Sequence, residues 1–117
     1  MTHWIDEFHA DVEALRLDAV LDRMTADVEV AVGNNPVMKG RDAVRQGLRG
    51  LFSTIDGIRH TTLNTAENGA LAFHEMKVDY LRKDGRTVSV PVVSVFERRG
   101  GQVSALRIHL DIAPLFS

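Results

Sequence analysis

The sequence predicts an α+β domain, with three N-terminal helices packed on a curved, mainly antiparallel sheet that rolls into a cone-shaped barrel. Three observations carry this. The first half of the chain repeats apolar residues at helical spacing. The second half, from Ile58 onward, alternates apolar and polar residues at strand spacing. The later segments are separated by Asn68-Gly69, Lys83-Asp84-Gly85 and Gly100-Gly101, which favour tight hairpins and hence an antiparallel meander.

Trp4, Ile5, Phe8, Val12 and Leu15 form the apolar stripe of a first helix, with Asp6, Glu7, Asp11 and Glu13 opposite and acids near the N-terminus. Leu17 to Met24 reads as a second short helix with Asp18 as its N-cap. Val28, Val30 and Val32 alternate with Glu29 and Ala31 as a first strand, and Gly33-Asn34-Asn35-Pro36 is a turn. Val37-Met38-Lys39 is a brief second strand. A third helix opens at Gly40-Arg41-Asp42-Ala43-Val44 and carries Val44, Leu48, Leu51 and Phe52 on one stripe. Gly47 and Gly50 each cost it about 1 kcal/mol relative to Ala, which close approach to a neighbour would offset. Asp56-Gly57 ends that segment. Three or four strands follow, at about 58–65, 71–81, 87–96 and 103–112. Pro91 inside the third of these marks an edge position or a bulge.

At 117 residues the chain is one domain, 1–117, long enough for one real core. A net charge of −2 with scattered Lys and Arg gives no electropositive field, which argues against a nucleic-acid partner. There is no cysteine, so disulfides and thiolate chemistry are excluded. No apolar run approaches ~20 residues and no signal-like segment opens the chain, so no membrane partner and a cytoplasmic location are expected.

Two segments concentrate polar chemistry. Lys77-Val78-Asp79 places a cation and a carboxylate on one strand face, about 7 Å apart at their α-carbons. The last strand carries Arg107, His109 and Asp111 on one face and Leu106, Ile108, Leu110 and Ile112 on the other. If the polar faces line a pocket, the apolar face of the last strand is free to form a dimer interface. If they are solvated, that apolar face is core. Two carboxylates sharing a desolvated pocket cannot both ionise cheaply, so one becomes an acid and the other a base, with the ammonium between them limiting the cost.

The helix start Gly40-Arg41-Asp42-Ala43-Val44, the Gly50-Leu51-Phe52 segment and the long hairpins ending in His109-Leu110-Asp111 resemble the SnoaL-like group of nuclear-transport-factor-2-like domains. The resemblance covers essentially the whole chain. Its nearest local counterpart is limonene-1,2-epoxide hydrolase, whose Arg-Val-Asp strand and last-strand Asp match Lys77-Val78-Asp79 and Asp111. The resemblance implies Asp111 as base, Asp79 as acid and Lys77 as bridge, acting on an epoxide or in an acid/base cyclisation. The sequence departs from that family where a Tyr and an Asn hold the attacking water, positions that fall near Val30 and Val32. It departs from ketosteroid isomerase near Ala31 and Phe8.

The expected site is therefore Asp111, Asp79 and Lys77 facing inward, with His109, Trp4, Phe8 and Phe73 against a small hydrophobic substrate and neither metal nor cofactor. His60 and His74 have no partner at ligand spacing and are expected in surface or core roles. A homodimer through the outer face of the sheet is expected. The alternative is a non-catalytic ligand-binding or dimerisation module on the same fold, with one carboxylate exposed or the cone filled by Trp4, Phe8 and Phe73.

Overall fold

A computed structural model describes residues 3–116. Helix α1 (Trp4–Glu13) and helix α2 (Leu17–Asp22) precede strand β1 (Met24–Val32), a short β2 (Met38–Lys39) and helix α3 (Arg41–Thr54). Strands β3 (Ile55–Asn68), β4 (Leu71–Arg82), β5 (Thr87–Arg99) and β6 (Gln102–His109) follow, and a one-turn helix α4 (Ala113–Phe116) ends the described chain. The six strands make one unclosed sheet in the order β2-β1-β6-β5-β4-β3. Only the β1–β6 pair is parallel.

Helix α1 follows its apolar stripe: Ile5, Phe8, His9 and Val12 are buried. The His3 ring caps it by accepting the Ile5 N–H at 3.2 Å. In α2, Asp18 lies inside the first turn rather than at the N-cap, where Arg16 stands; it accepts a bond from Arg45 of α3 instead. Asp11, buried on α1, accepts the Arg23 Nε–H at 2.7 Å and ties α1 to the end of α2. The Arg41 guanidinium at the start of α3 donates to the Met24 carbonyl at the start of β1. In α3 the two glycines differ. A Cβ at Gly47 would collide with the Met38 sulfur, whereas one at Gly50 would meet open space. Close approach therefore explains the first and not the second.

Alternation sets the faces of the long strands. On β4, Ala72, His74, Met76, Val78 and Tyr80 are buried beneath the helices, as are Val90, Val92, Ser94 and Phe96 on β5. Leu106 pairs with Phe96 and with Val30, and Ile108 with Ser94 and Val32, so the apolar face of β6 joins that core. The reading in which the polar strand faces turn inward is thus corrected. Burying Met76, Val78 and Tyr80 removes far more apolar surface from water than burying Lys77 and Asp79 would, and a period-2 strand cannot bury both sets. Strand β3 starts three residues earlier than expected, absorbing Asp56-Gly57 through a register shift. Pro91 pairs with Lys77, but β6 pairing stops at Val93 opposite His109. Beside Pro91 the sheet is one-sided, so its missing N–H faces no ladder partner.

Candidate functional site

The buried polar groups of the helix-covered face converge where α1 crosses β3 and β4. Three imidazoles from three elements stack there. His9 of α1 lies against His60 of β3, centroids 4.1 Å apart and planes 14° apart. His9 also lies against His74 of β4, at 4.9 Å and 22°. Phe8 and Phe96 close the aromatic group edge to face, 5.5 Å apart, and Phe96 meets His9 at 6.2 Å.

Each imidazole is placed by ordinary local rules. His9 is four residues after Ile5 and three before Val12, on the buried stripe of α1. His60 and His74 have inward parity on their strands. His74 Nε2 is 2.8 Å from Thr62 Oγ1 on the neighbouring strand. Glu13 accepts the backbone N–H of His60 at 2.9 Å, and the same oxygen is 3.8 Å from His60 Nδ1. One carboxylate of α1 therefore caps the open β3 edge. Nδ1 of His60 and Nδ1 of His74 are buried without a hydrogen-bond partner.

Burial pushes the His9 pKa down to about 2, with His60 and His74 adding to the effect. Burial, then His74, pushes His60 down to about 4. Burial also lowers His74, against an opposing pull from Asp6. The cluster is neutral at pH 7. Stacked rings hold their in-plane lone pairs side by side rather than converging on a point. Among the described residues, no group of three or more His, Asp or Glu is arranged to hold a metal ion.

Trp4 and Phe8 lie on this side as filling of the core. Trp4 sits edge-on to Phe96 at 5.2 Å, donates its Nε1–H to Glu67 Oε1 at 3.1 Å, and lies 4.2 Å beneath the Arg98 guanidinium. His3 Nε2 meets the same Glu67 oxygen at 3.0 Å. The other expected site residues are elsewhere. Lys77 and Asp79 are on the outer face, Nζ 3.8 Å from Oδ1, with Ser89 donating to Asp79. Phe73, paired with Ala66 and Val95, is 40% exposed on that outer face. His109 is exposed at the end of β6, and Asp111 is exposed beyond it, accepting the Ala113 N–H at 3.0 Å at the start of α4. The structure does not bring Asp79, Lys77 and Asp111 into a closed pocket. Two open surface grooves lie elsewhere, one lined by Gly57, Ile58, Arg59, Asp79, Leu81 and Thr87, the other by Thr54, Arg82, Lys83, Asp84, Leu115 and Phe116.

The architecture is shared with solved structures of low sequence identity. An NTF2-like protein from Burkholderia pseudomallei superposes with a TM-score of 0.84 at 18% identity, covering 96% of this chain and 91% of that one. A protein with a ketosteroid-isomerase-like fold from Catenulispora acidiphila, in complex with trimethylamine, gives 0.85 at 14%, covering 95% and 87%. An LEH-like epoxide hydrolase from Mycobacterium tuberculosis gives 0.81 at 18%, covering 96% and 83%. These likenesses show the fold. No curated protein matches the chain by sequence. The profile of the SnoaL-like domain matches residues 5–106, most of the chain and every element from α1 into β6, and the chain belongs to the SnoaL-like domain family.

Proposed function

We propose that this domain binds a small hydrophobic molecule on the helix-covered face of the sheet, between α1 and strands β3 and β4, in space that opens when α1 lifts from the stack, and that binding rather than turnover is its task. The observation that carries the reading is the pair of buried, unpartnered ring nitrogens, His60 Nδ1 and His74 Nδ1. A buried polar atom left unpaired costs about 1–3 kcal/mol, and a ligand atom that bonds to it recovers that cost. Apolar neighbours and a few polar atoms are the chemistry of a small-molecule site. The ligand this suits is largely apolar with one hydroxyl or carbonyl.

The pKa values favour binding over catalysis. A general base works best with a pKa near the working pH. His60 at about 4 and His9 at about 2 are neutral at pH 7 but weak proton acceptors. They hydrogen-bond to a ligand more readily than they ionise it. The test is a thermal-shift panel of aromatic alcohols, ketones and epoxides, repeated on His60→Phe and His74→Phe. Hydroxyl or carbonyl compounds should raise Tm in the wild type, as binding to the native state must, and lose most of that gain in the variants. A panel that shifts nothing, or shifts the variants equally, removes the imidazoles from the site.

A second reading concerns the outer face. Phe73 and Val93 are both about 40% exposed there, beside Lys77, Asp79 and Ser89. A second copy docked on this face would bury those side chains and enclose the groove containing Asp79. Enclosure is the condition under which Asp79, Lys77 and Asp111 could exchange protons with a substrate. Sedimentation of the wild type and of Val93→Lys decides this reading: a dimer converted to a monomer supports it, and a wild-type monomer at high protein concentration ends it.

A further inference from the structure

We propose that α1 is a proton-operated gate over the helix-covered face: protonation of the stacked imidazoles drives α1 off the sheet while the β-strands stay paired. The inference rests on the reading that this face takes the ligand, but its test uses no ligand, so the two fail separately.

The geometry is a sandwich built across the junction that would open. His9 belongs to the helix, His60 and His74 to the sheet, and their rings face each other at 4.1 and 4.9 Å. His9 and His74 are almost fully buried. A proton on any ring places a charge among apolar groups, and a second places two like charges within ring contact. Undocking α1 separates His9 from both partners and hydrates all three, so protons bind the open form more tightly than the closed one. That difference in affinity is what a switch requires.

The charged surroundings do not cancel this. On α1, Glu13 stands 3.8 Å from His60 Nδ1 and Asp6 acts on His74. His3, just before α1, opposes Asp6 at His74. On β3, Glu67 is held by His3 and Trp4. On β5, Ser94 lies opposite His74 and Phe96 lies against His9, and neither carries charge. Both acids near the rings belong to α1 and attract a protonated ring, so they oppose opening, but burial outweighs them and each ring is left with a lowered pKa.

Trp4, the single tryptophan, sits at the start of α1 and reports its docking. Amide exchange by NMR and Trp4 emission are followed from pH 7.5 to 5.0. Protection factors of α1 amides should fall about tenfold per pH unit below 6.5 for each proton taken up on opening, with Trp4 emission moving to the red. Amides in the β4–β5 ladder should stay better protected than those of α1 at every pH in that range, because opening α1 leaves the strands paired. His9→Phe keeps a ring in the stack and removes its central titrating group, so the slope should lose about one proton. His74→Gln, which retains a bond to Thr62, serves the same purpose if His9→Phe does not fold. Equal protection of α1 and β4–β5 amides across the whole range would overturn the gate, and so would wild-type slopes in both variants.

Discussion

Glu13 of α1 accepts the backbone N–H of His60 at 2.9 Å, at the open edge of the sheet. An unpaired edge strand invites pairing with another chain. Here a helix side chain fills one outward-facing donor. The same contact brings α1 low enough for His9 to reach the ring of His60. Edge protection and the imidazole stack are consequences of one docking geometry. A change that lifts α1 therefore loosens both.

Stability should fall as the solution is acidified from about pH 6.5. The folded-state pKa of each clustered histidine lies below its ordinary value of 6.5, to about 4 for His60 and about 2 for His9. Between the ordinary and the folded pKa, the unfolded chain binds protons that the folded chain does not. The stabilisation is complete above 6.5 and is lost as pH falls toward the folded values. His9 and His60 each contribute on the order of 1.4 kcal/mol per pH unit in that window, and His74 adds in the same direction. Urea midpoints measured between pH 7.0 and 5.0, before most carboxylates titrate, should drop steeply. Midpoints constant across that range would contradict the buried neutral stack.

How much of this was legible beforehand depends on which residues are asked. The helix stripes of Trp4, Ile5, Phe8 and Val12 and the hairpin turns led directly to the observed elements. The strand periods were equally clear, but a period does not say which side is buried. The resemblance to an active-site pattern points the Lys77–Asp79 face inward. Met76, Val78 and Tyr80 on the opposite parity carried the stronger physical argument. Had parity been assigned by apolar content alone, His74 would have been placed inside at once, and His60 with it once the β3–β4 hairpin was paired. His9 lies on the Ile5–Val12 stripe, but a lone histidine beside Phe8 gives no sign of the partners that only the fold brings to it. Asp111 followed the same course: Asp-Ile-Ala-Pro is a helix start, and that local chemistry now explains its bond to Ala113.

Asp111 should behave as a local turn residue in the isolated chain. Its Oδ1 accepts the Ala113 N–H, and its side chain is exposed. Asp111→Asn retains an acceptor oxygen and should leave Tm near the wild-type value. Asp111→Ala removes it and should cost at most about 1 kcal/mol, the scale of a lost capping bond. Neither should alter the thermal shift given by a ligand that depends on His60. Thermal melts with and without such a ligand check both statements. A variant at Asp111 that abolishes the shift while Tm stays constant would return this carboxylate to the binding site.

The two glycines of α3 supply a stability test that touches no candidate site. Glycine inside a helix is about 1 kcal/mol less favourable than alanine. Both Gly47 and Gly50 lie within α3, and neither has a positive φ. They differ in what a methyl group would meet. At Gly50 there is open space, so Gly50→Ala should recover most of the helix propensity and raise stability by about 0.5–1 kcal/mol. At Gly47 the methyl would run into the Met38 sulfur, so the β2 side chain must swing away before any gain appears. Gly47→Ala should therefore be neutral or destabilising in the wild type, and should stabilise when made on a Met38→Ala background, where the sulfur is gone. Urea unfolding of the four variants measures that coupling. Equal stabilisation by both single alanines would mean that α3 does not lie against β2 as the structure places it.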